Sequence, residues 1–228
     1  MMATVQMAGN GFGGVVKGNY GTYQSGSDGT FAVDVRDAPA MLVLGMTYVN
    51  LITDHLNLTV APAAATIGAI VASGALSNGN VAVTANPDVP RVVNVEVGAG
   101  TSAITAGTVS VTYMGNDGVS ATEALSLVTP ANASTTQALS RGVVTISNIT
   151  VSGLTGGASP WLRMSTTSAL SMPVAKGAVD FSVIREWDSN ATAAVGTLSP
   201  VLASITPTNP PNATRTYSFI YTYVMPSS

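Results

Sequence analysis

The sequence predicts an all-β protein of antiparallel β-sandwich modules, with a small N-terminal β unit carrying one short helix. Three observations predict it. Apolar and polar residues alternate with period two over short runs. Gly, Asn-Gly, Asp-Gly or Pro breaks those runs about every eight to twelve residues. Val, Ile, Thr and Tyr dominate the runs, as a pleated, half-buried surface prefers.

Taken in order, the N-terminal unit spans about residues 1–60, with "TFAVDV" (30–35) as an alternating strand. The short helix is "DAPAMLVLG" (37–45): Asp37 can cap it, Pro39 suits the first turn and Gly45 can end it. Pro62 in "VAPAAAT" marks the break before a β-sandwich over about 66–160. Its strands are "NVAVTA" (80–85), "VVNVEV" (92–97), "GTVSVTYM" (107–114) and "VVTISNITV" (143–151). Between "TVSVTYM" and "VSATEALSLV", Gly115-Asn116-Asp117-Gly118 tolerates the positive φ that a hairpin loop demands. Residues 161–228 form a C-terminal β extension, packed on the sandwich or on a neighbouring subunit. In it "SPVLASITPTNPPNAT" is a long connection and "RTYSFIYTYV" (215–224) the final strand.

Composition excludes several classes. With 228 residues, the chain is long enough for a core burying roughly 70% of its unfolded surface. Only 8% of residues are charged, against about 25% in average domains, so Ser, Thr, Asn, Gly or other chains must cover the surface. A net charge of -3 gives no footprint for nucleic acid or a membrane surface. The absence of Cys removes disulfides, thiolate metal sites and thiol catalysis. "APAAATIGAIVASGAL" falls short of the ~20 apolar residues of a membrane span and reads as strand and turn. "MMATVQMAGNGFGG" lacks the basic and apolar regions of a secretory signal.

Residues that could carry chemistry have structural readings that outweigh it. His55 follows Asp54, but neighbours on a strand face opposite ways and no Gly-x-Ser-x-Gly elbow is present, which favours a surface or interface His. Glu186 and Asp188, at i and i+2 beside Trp187, are the best carboxylate pair for glycoside cleavage; a charged strand end is the stronger reading. "GSDGT" and "GNDG" lack the ligand spacing of a calcium loop and read as turns. Asn-x-Ser/Thr sites at Asn57, Asn132, Asn148, Asn190 and Asn212 fit chance in so Asn- and Thr-rich a chain. Tyr217, Phe219, Tyr221 and Tyr223 share one face of the last strand, as a core or as a surface docking on another subunit. With Trp187 they are the candidate interface. No catalytic residue, cofactor or metal is expected.

"NPDVPRVVNVEV" (86–97) concentrates Asp88, Arg91 and Glu96 in this charge-poor chain. Pro87 and Pro90 fix their own φ and push Asn86 and Val89 into extended geometry, a stiff lead-in to the strand. Asp88 can bond nearby amides as a turn former, and Arg91 can reach Asp88, Glu123 on a paired strand, or a neighbour. Pro87, Asp88, Pro90 and Arg91 are therefore expected to form a structural corner.

"GTYQSGSDGTFAVDVRDAPAMLVLG" (21–45) resembles a short module of tailed-bacteriophage structural proteins. "TANPDVPRVVNVEV", "ITAGTVSVTYMGNDGVSATEALSLV" and "VVTISNITVSGLTG" resemble a β-sandwich module of phage virion proteins: Pro-Asp-x-Pro-Arg at Pro87 to Arg91, Gly-Thr-Val at 107–109, a Gly-Asx-Gly hairpin at 115–118, and Glu123 early on the return strand. The resemblance covers roughly 18–45 and 80–156. "VEVGAGTSAIT" departs from it where the family has a more polar turn, and the last seventy or so residues match nothing in it. It implies a non-enzymatic structural protein of the virion, more than any particular post in it; the post expected first is a head decoration or cement protein that binds the major capsid protein on the outer surface. It would assemble in the bacterial cytoplasm as a homo-oligomer, a trimer being favoured. The alternative is a tail, vertex or fibre-associated module whose loops near "GGASPW" and Trp187 bind a host glycan. A virion-borne hydrolase using Glu186 and Asp188 is the third reading.

Overall fold

A computed structural model describes residues 4–7, 14–18, 21–25, 31–32, 48–174, 179–189 and 191–225. The helix expected at 37–45, the "GSDGT" turn beyond Ser25 and most of the 30–35 strand lie outside them. The described residues are all-β, in antiparallel sheets of a sandwich-like fold. The chain divides into two compact units: Met1–Asp54 with Gly177–Phe181 and Thr222–Ser228, and His55–Lys176 with Ser182–Tyr221.

In the first unit β1 (Thr4–Met7), β2 (Gly14–Gly18), β3 (Gly21–Ser25), β4 (Phe31–Ala32) and the part of β5 (Tyr48–Leu58) up to Asp54 follow one another in spatial order. The pairs are antiparallel except β4 with β5, where Phe31 meets Tyr48 in parallel register.

The second unit holds β6 (Val71–Ala75), β7 (Gly79–Asn80), β8 (Arg91–Gly98), β9 (Ile104–Gly115), β10 (Ser120–Ser126), β11 (Ser134–Ala138), β12 (Val143–Gly156) and β13 (Trp161–Ser171). One group runs β10-β9-β12, with β7 along β12; the other has β8 between β11 and β13, with β6 along β13. The groups meet where β12 pairs β8 through one residue pair, Val143 with Arg91. The inward positions of both groups form one core, including Val93, Val95, Val97, Val109, Val111, Tyr113, Ile149, Leu162 and Met164. Val93, Val95 and Val97, then Val109, Val111 and Tyr113, are the period-two apolar positions of "VVNVEV" and "TVSVTY".

The β9–β10 hairpin forms where the glycines allow it. Gly118 has φ 74°, its amide bonds the Gly115 carbonyl at 3.0 Å, and Glu123 is paired with Val111. "NVAVTA" differs from expectation. It is a strand only over β7; its remainder lies extended, with single bonds from the Val81 amide to the Ile149 carbonyl and from the Thr84 amide to the Ile70 carbonyl. Residues 86–90 turn away into the corner, so no continuous ladder forms there.

After β13 come β14 (Val179–Asp188), β15 (Ala191–Ala193), β16 (Thr197–Ser199), β17 (Ser204–Thr206) and β18 (Tyr217–Met225). "SPVLASIT", expected to be a connection, forms the β16–β17 hairpin, which attaches to β13 through Leu170 and Ile205; Ile205 is fully buried. Burial of that one side chain overrides the turn-like composition around it. In the second unit, portions of β5, β18, β14 and β15 lie side by side in that order.

Candidate functional site

The corner at 86–91 is a clamp. Pro90 leads into β8, and Arg91, its first residue, is fully buried. The Arg91 Nη2 lies 2.6 Å from Asp88 Oδ1. Asp88 Oδ2 accepts the Ala63 amide at 2.6 Å, while Arg91 Nη1 donates to the carbonyls of Ala63 at 3.1 Å and Thr167 at 3.3 Å. The two peptide groups that flank the Ala63 Cα are thus held, one by each side chain of the pair. Asn86 Oδ1 accepts the Ile146 amide at 2.7 Å, and the Ser171 amide donates to the Pro90 carbonyl at 3.0 Å. Burial lowers the Arg91 pKa from its ordinary value and Asp88 opposes that shift; a guanidinium stays protonated here. Of the partners open to Arg91 in the sequence, the structure places it on Asp88.

Glu123 serves a different tie. It accepts the hydroxyls of Tyr113 and Ser140, and its Oε2 accepts the Ser140 amide at 3.0 Å. Tyr113 is fully buried, and burial, then the bond to Glu123, raises its pKa above the ordinary phenol value. Asp117 in the hairpin accepts the Val119 amide at 3.1 Å and pairs with Arg141. Glu96 pairs with Arg163 at 2.7 Å, and that guanidinium lies 5.0 Å from the Trp161 ring centroid.

Glu186 and Asp188 are separated by environment. Glu186 is fully buried; its Oε2 accepts the Gly196 amide at 2.9 Å, and its Oε1 is buried without a hydrogen-bond partner. Burial raises the Glu186 pKa, against lowering by the Gly196 and Thr208 amides, and Asp188 adds to the rise. Asp188 is tied to Ser189 at 2.9 Å, Asn209 at 2.9 Å and Arg215 at 3.4 Å. With one carboxyl sealed in the fold, the pair does not present two acids to a shared substrate, as glycoside cleavage needs.

Tyr217, Phe219, Tyr221 and Tyr223 are 1%, 0%, 0% and 6% exposed in the chain itself. Within the chain the four rings are buried, in line with the core role of the two open to them in the sequence, and β18 lies between β5 and β14 in its sheet. Tyr217 and Phe219 stack at 6.1 Å, and the Tyr217 hydroxyl donates to the Asn209 carbonyl at 2.6 Å. The Tyr217 pKa is pushed up to about 12, first by burial and then by Asp188.

His55, Asn57, Trp187, Thr216, Tyr217 and Ser218 line an open cleft of about 310 Å³. His55 and Asn57 share a face of β5 by their i, i+2 spacing, as do Thr216 and Ser218 around β18. His55 Nε2 lies 2.6 Å from Ser218 Oγ. Trp187, half-buried on β14, has the Arg185 guanidinium 5.6 Å from its ring centroid. The His55–Ser218 contact is the feature sequence reasoning missed; the signal was the polar set alternating with the aromatic one in "TYSFIYTYV". Ser218 sits within β18, which lies between β5 and β14. Among the described residues no group of three His, Asp or Glu is placed to hold a metal ion. No helix among them is long and apolar enough to cross a membrane.

No family model matches the chain, and neither the curated proteins nor the solved structures contain a significant match.

Proposed function

We propose that the chain is a structural protein of a tailed-phage particle, a decoration or cement protein on the outside of the head. It binds the major capsid protein as a symmetric homo-oligomer, with a trimer favoured. One observation carries this reading beyond the sequence resemblance. Each arginine with a described side chain is committed within the chain: Arg91, Arg141, Arg163 and Arg215 to carboxylates, and Arg185 over Trp187. The described surface is poor in unpaired cations and exposes apolar side chains such as Ile67, Val128, Ile184 and Val201, which can be buried against a lattice without stripping water from charges. Edge strands β10 and β16 end their sheet with no further strand beside them among the described residues, which suits pairing with another chain. Weak contacts repeated over many copies would add up by avidity.

Rebinding of purified protein to heads stripped of it tests the proposal. Saturation at a fixed ratio to capsid protein, unchanged between low salt and about 1 M salt, is expected, since screening acts only on charge contacts. Failure to bind stripped heads contradicts it. The cleft beside Trp187 favours a second reading, a tail, vertex or fibre-associated glycan-binding module. That module would be present in far fewer copies per particle.

A further inference from the structure

We propose that the cleft formed by His55, Asn57, Trp187, Thr216 and Ser218 is a binding site for a neutral pyranose sugar. The inference rests on the cleft and holds for a head or a tail location alike.

The chemistry of the lining selects the ligand class. Among the described lining residues there is no Lys, Arg, Asp or Glu, so the cleft offers little fixed charge to a phosphate, a carboxylate or a cation. What it offers is hydrogen bonding without charge: an amide with donor and acceptor ends from Asn57, hydroxyls from Thr216 and Ser218, and the His55 imidazole. The His55–Ser218 bond at 2.6 Å fixes the hydroxyl and the ring against each other. Ser218 Oγ, with one donor and two acceptor positions, retains capacity for a ligand hydroxyl beside that bond. Adjacent hydroxyls of a sugar ring need such a row of alternating donors and acceptors.

Trp187 supplies the other half. The C–H face of a pyranose is weakly positive and meets the negative face of an aromatic ring favourably, while its hydroxyls stay at the edge. Arg185, 5.6 Å from the indole centroid, holds that ring in place. Strand geometry aligns the set: His55 and Asn57 share a face of β5, Thr216 and Ser218 flank Tyr217 at the start of β18, and Tyr217 itself is buried. Since rigid paired strands carry the polar groups, little side-chain ordering is needed on binding. A volume of about 310 Å³ lies at the small end of ligand sites, the scale of a sugar ring rather than a long chain.

The test is saturation-transfer NMR on the full chain with methyl glucoside, methyl galactoside, methyl mannoside and N-acetylglucosamine, with sorbitol and inorganic phosphate as comparisons. Saturable binding of at least one cyclic sugar with a Kd of about millimolar order is expected, with neither sorbitol nor phosphate competing. Trp187→Ala and Asn57→Ala should each weaken it about tenfold or more, and Trp161→Phe should leave it unchanged. Asn57 is exposed, so Asn57→Ala keeps the test decisive should Trp187→Ala misfold by circular dichroism. Absence of saturable binding by all four sugars, undiminished binding in Asn57→Ala, or preferential binding of phosphate would each overturn the proposal.

Discussion

The guanidinium of Arg91 is fully buried and lies 2.6 Å from the carboxylate of Asp88, whose side chain is 35% exposed. The asymmetry makes the two residues unequal. Replacing Asp88 by Asn leaves a cation buried against two carbonyls, and the cost is expected near 3 kcal/mol, the lower end for a broken buried pair because water reaches the Asp88 side. Arg91→Met removes the charge and keeps the stem, and should cost less than Asp88→Asn. Urea unfolding of the two variants measures this; equal costs, or a larger one for Arg91→Met, would show that the pair does not hold the corner.

Glu123 joins Tyr113 to Ser140. Glu123→Ala strands a buried phenol and an amide and is expected to cost about 1–3 kcal/mol. Tyr113→Phe leaves a carboxylate that water can reach, and should cost about 1 kcal/mol. Chemical denaturation checks the order.

Burial raises the folded-state pKa of Glu186 above its ordinary 4.5, so the ionised form is disfavoured in the fold. The contribution of Glu186 is therefore fully present below the unfolded value and is lost as pH rises through the raised folded value. Glu186→Gln keeps a carbonyl to accept the Gly196 amide and has no proton to lose. Its Tm should exceed that of the parent at pH 8, and the advantage should shrink as pH falls toward 4.5. A difference in Tm that does not change with pH would assign Glu186 no titration linked to folding.

Two glycines with positive φ separate backbone strain from crowding. A Cβ on Gly118 (φ 74°) meets nothing within 4 Å, whereas one on Gly100 (φ 65°) would overlap the Ala158 carbonyl oxygen. Gly118→Ala is expected to cost about 1 kcal/mol, from strain alone. Gly100→Ala adds a displaced backbone and should cost about 1–3 kcal/mol more. Thermal unfolding of both variants gives the comparison.

The strands at 92–97, 107–114 and 143–151 and the β9–β10 hairpin were legible because alternation and the Gly-Asn-Asp-Gly loop are local signals, set by the pleat and by φ, whereas the same alternation in "NVAVTA" did not make a strand beyond Asn80. The corner was legible as a turn for the same reason, through Pro87 and Pro90. What Arg91 grips was not: Ala63 and Thr167 are ordinary residues brought to it by the fold, at separations of 28 and 76 positions. Glu186 reads as a strand-end charge because its burial depends on Gly196 and Thr208, beyond the next turn. The aromatic strand carried its inward face in the sequence, but what covers that face depends on which strands flank β18. The cleft was the least legible part, since Ser218 and His55 lie 163 positions apart and neither belongs to a motif.

Locating this chain in the purified phage particle by electron cryomicroscopy tests the central claim most directly. The account predicts many copies in a regular array over the outer surface of the head, seated on major capsid protein. Density confined to the tail or a single vertex, or particles that lack the chain altogether, would contradict it.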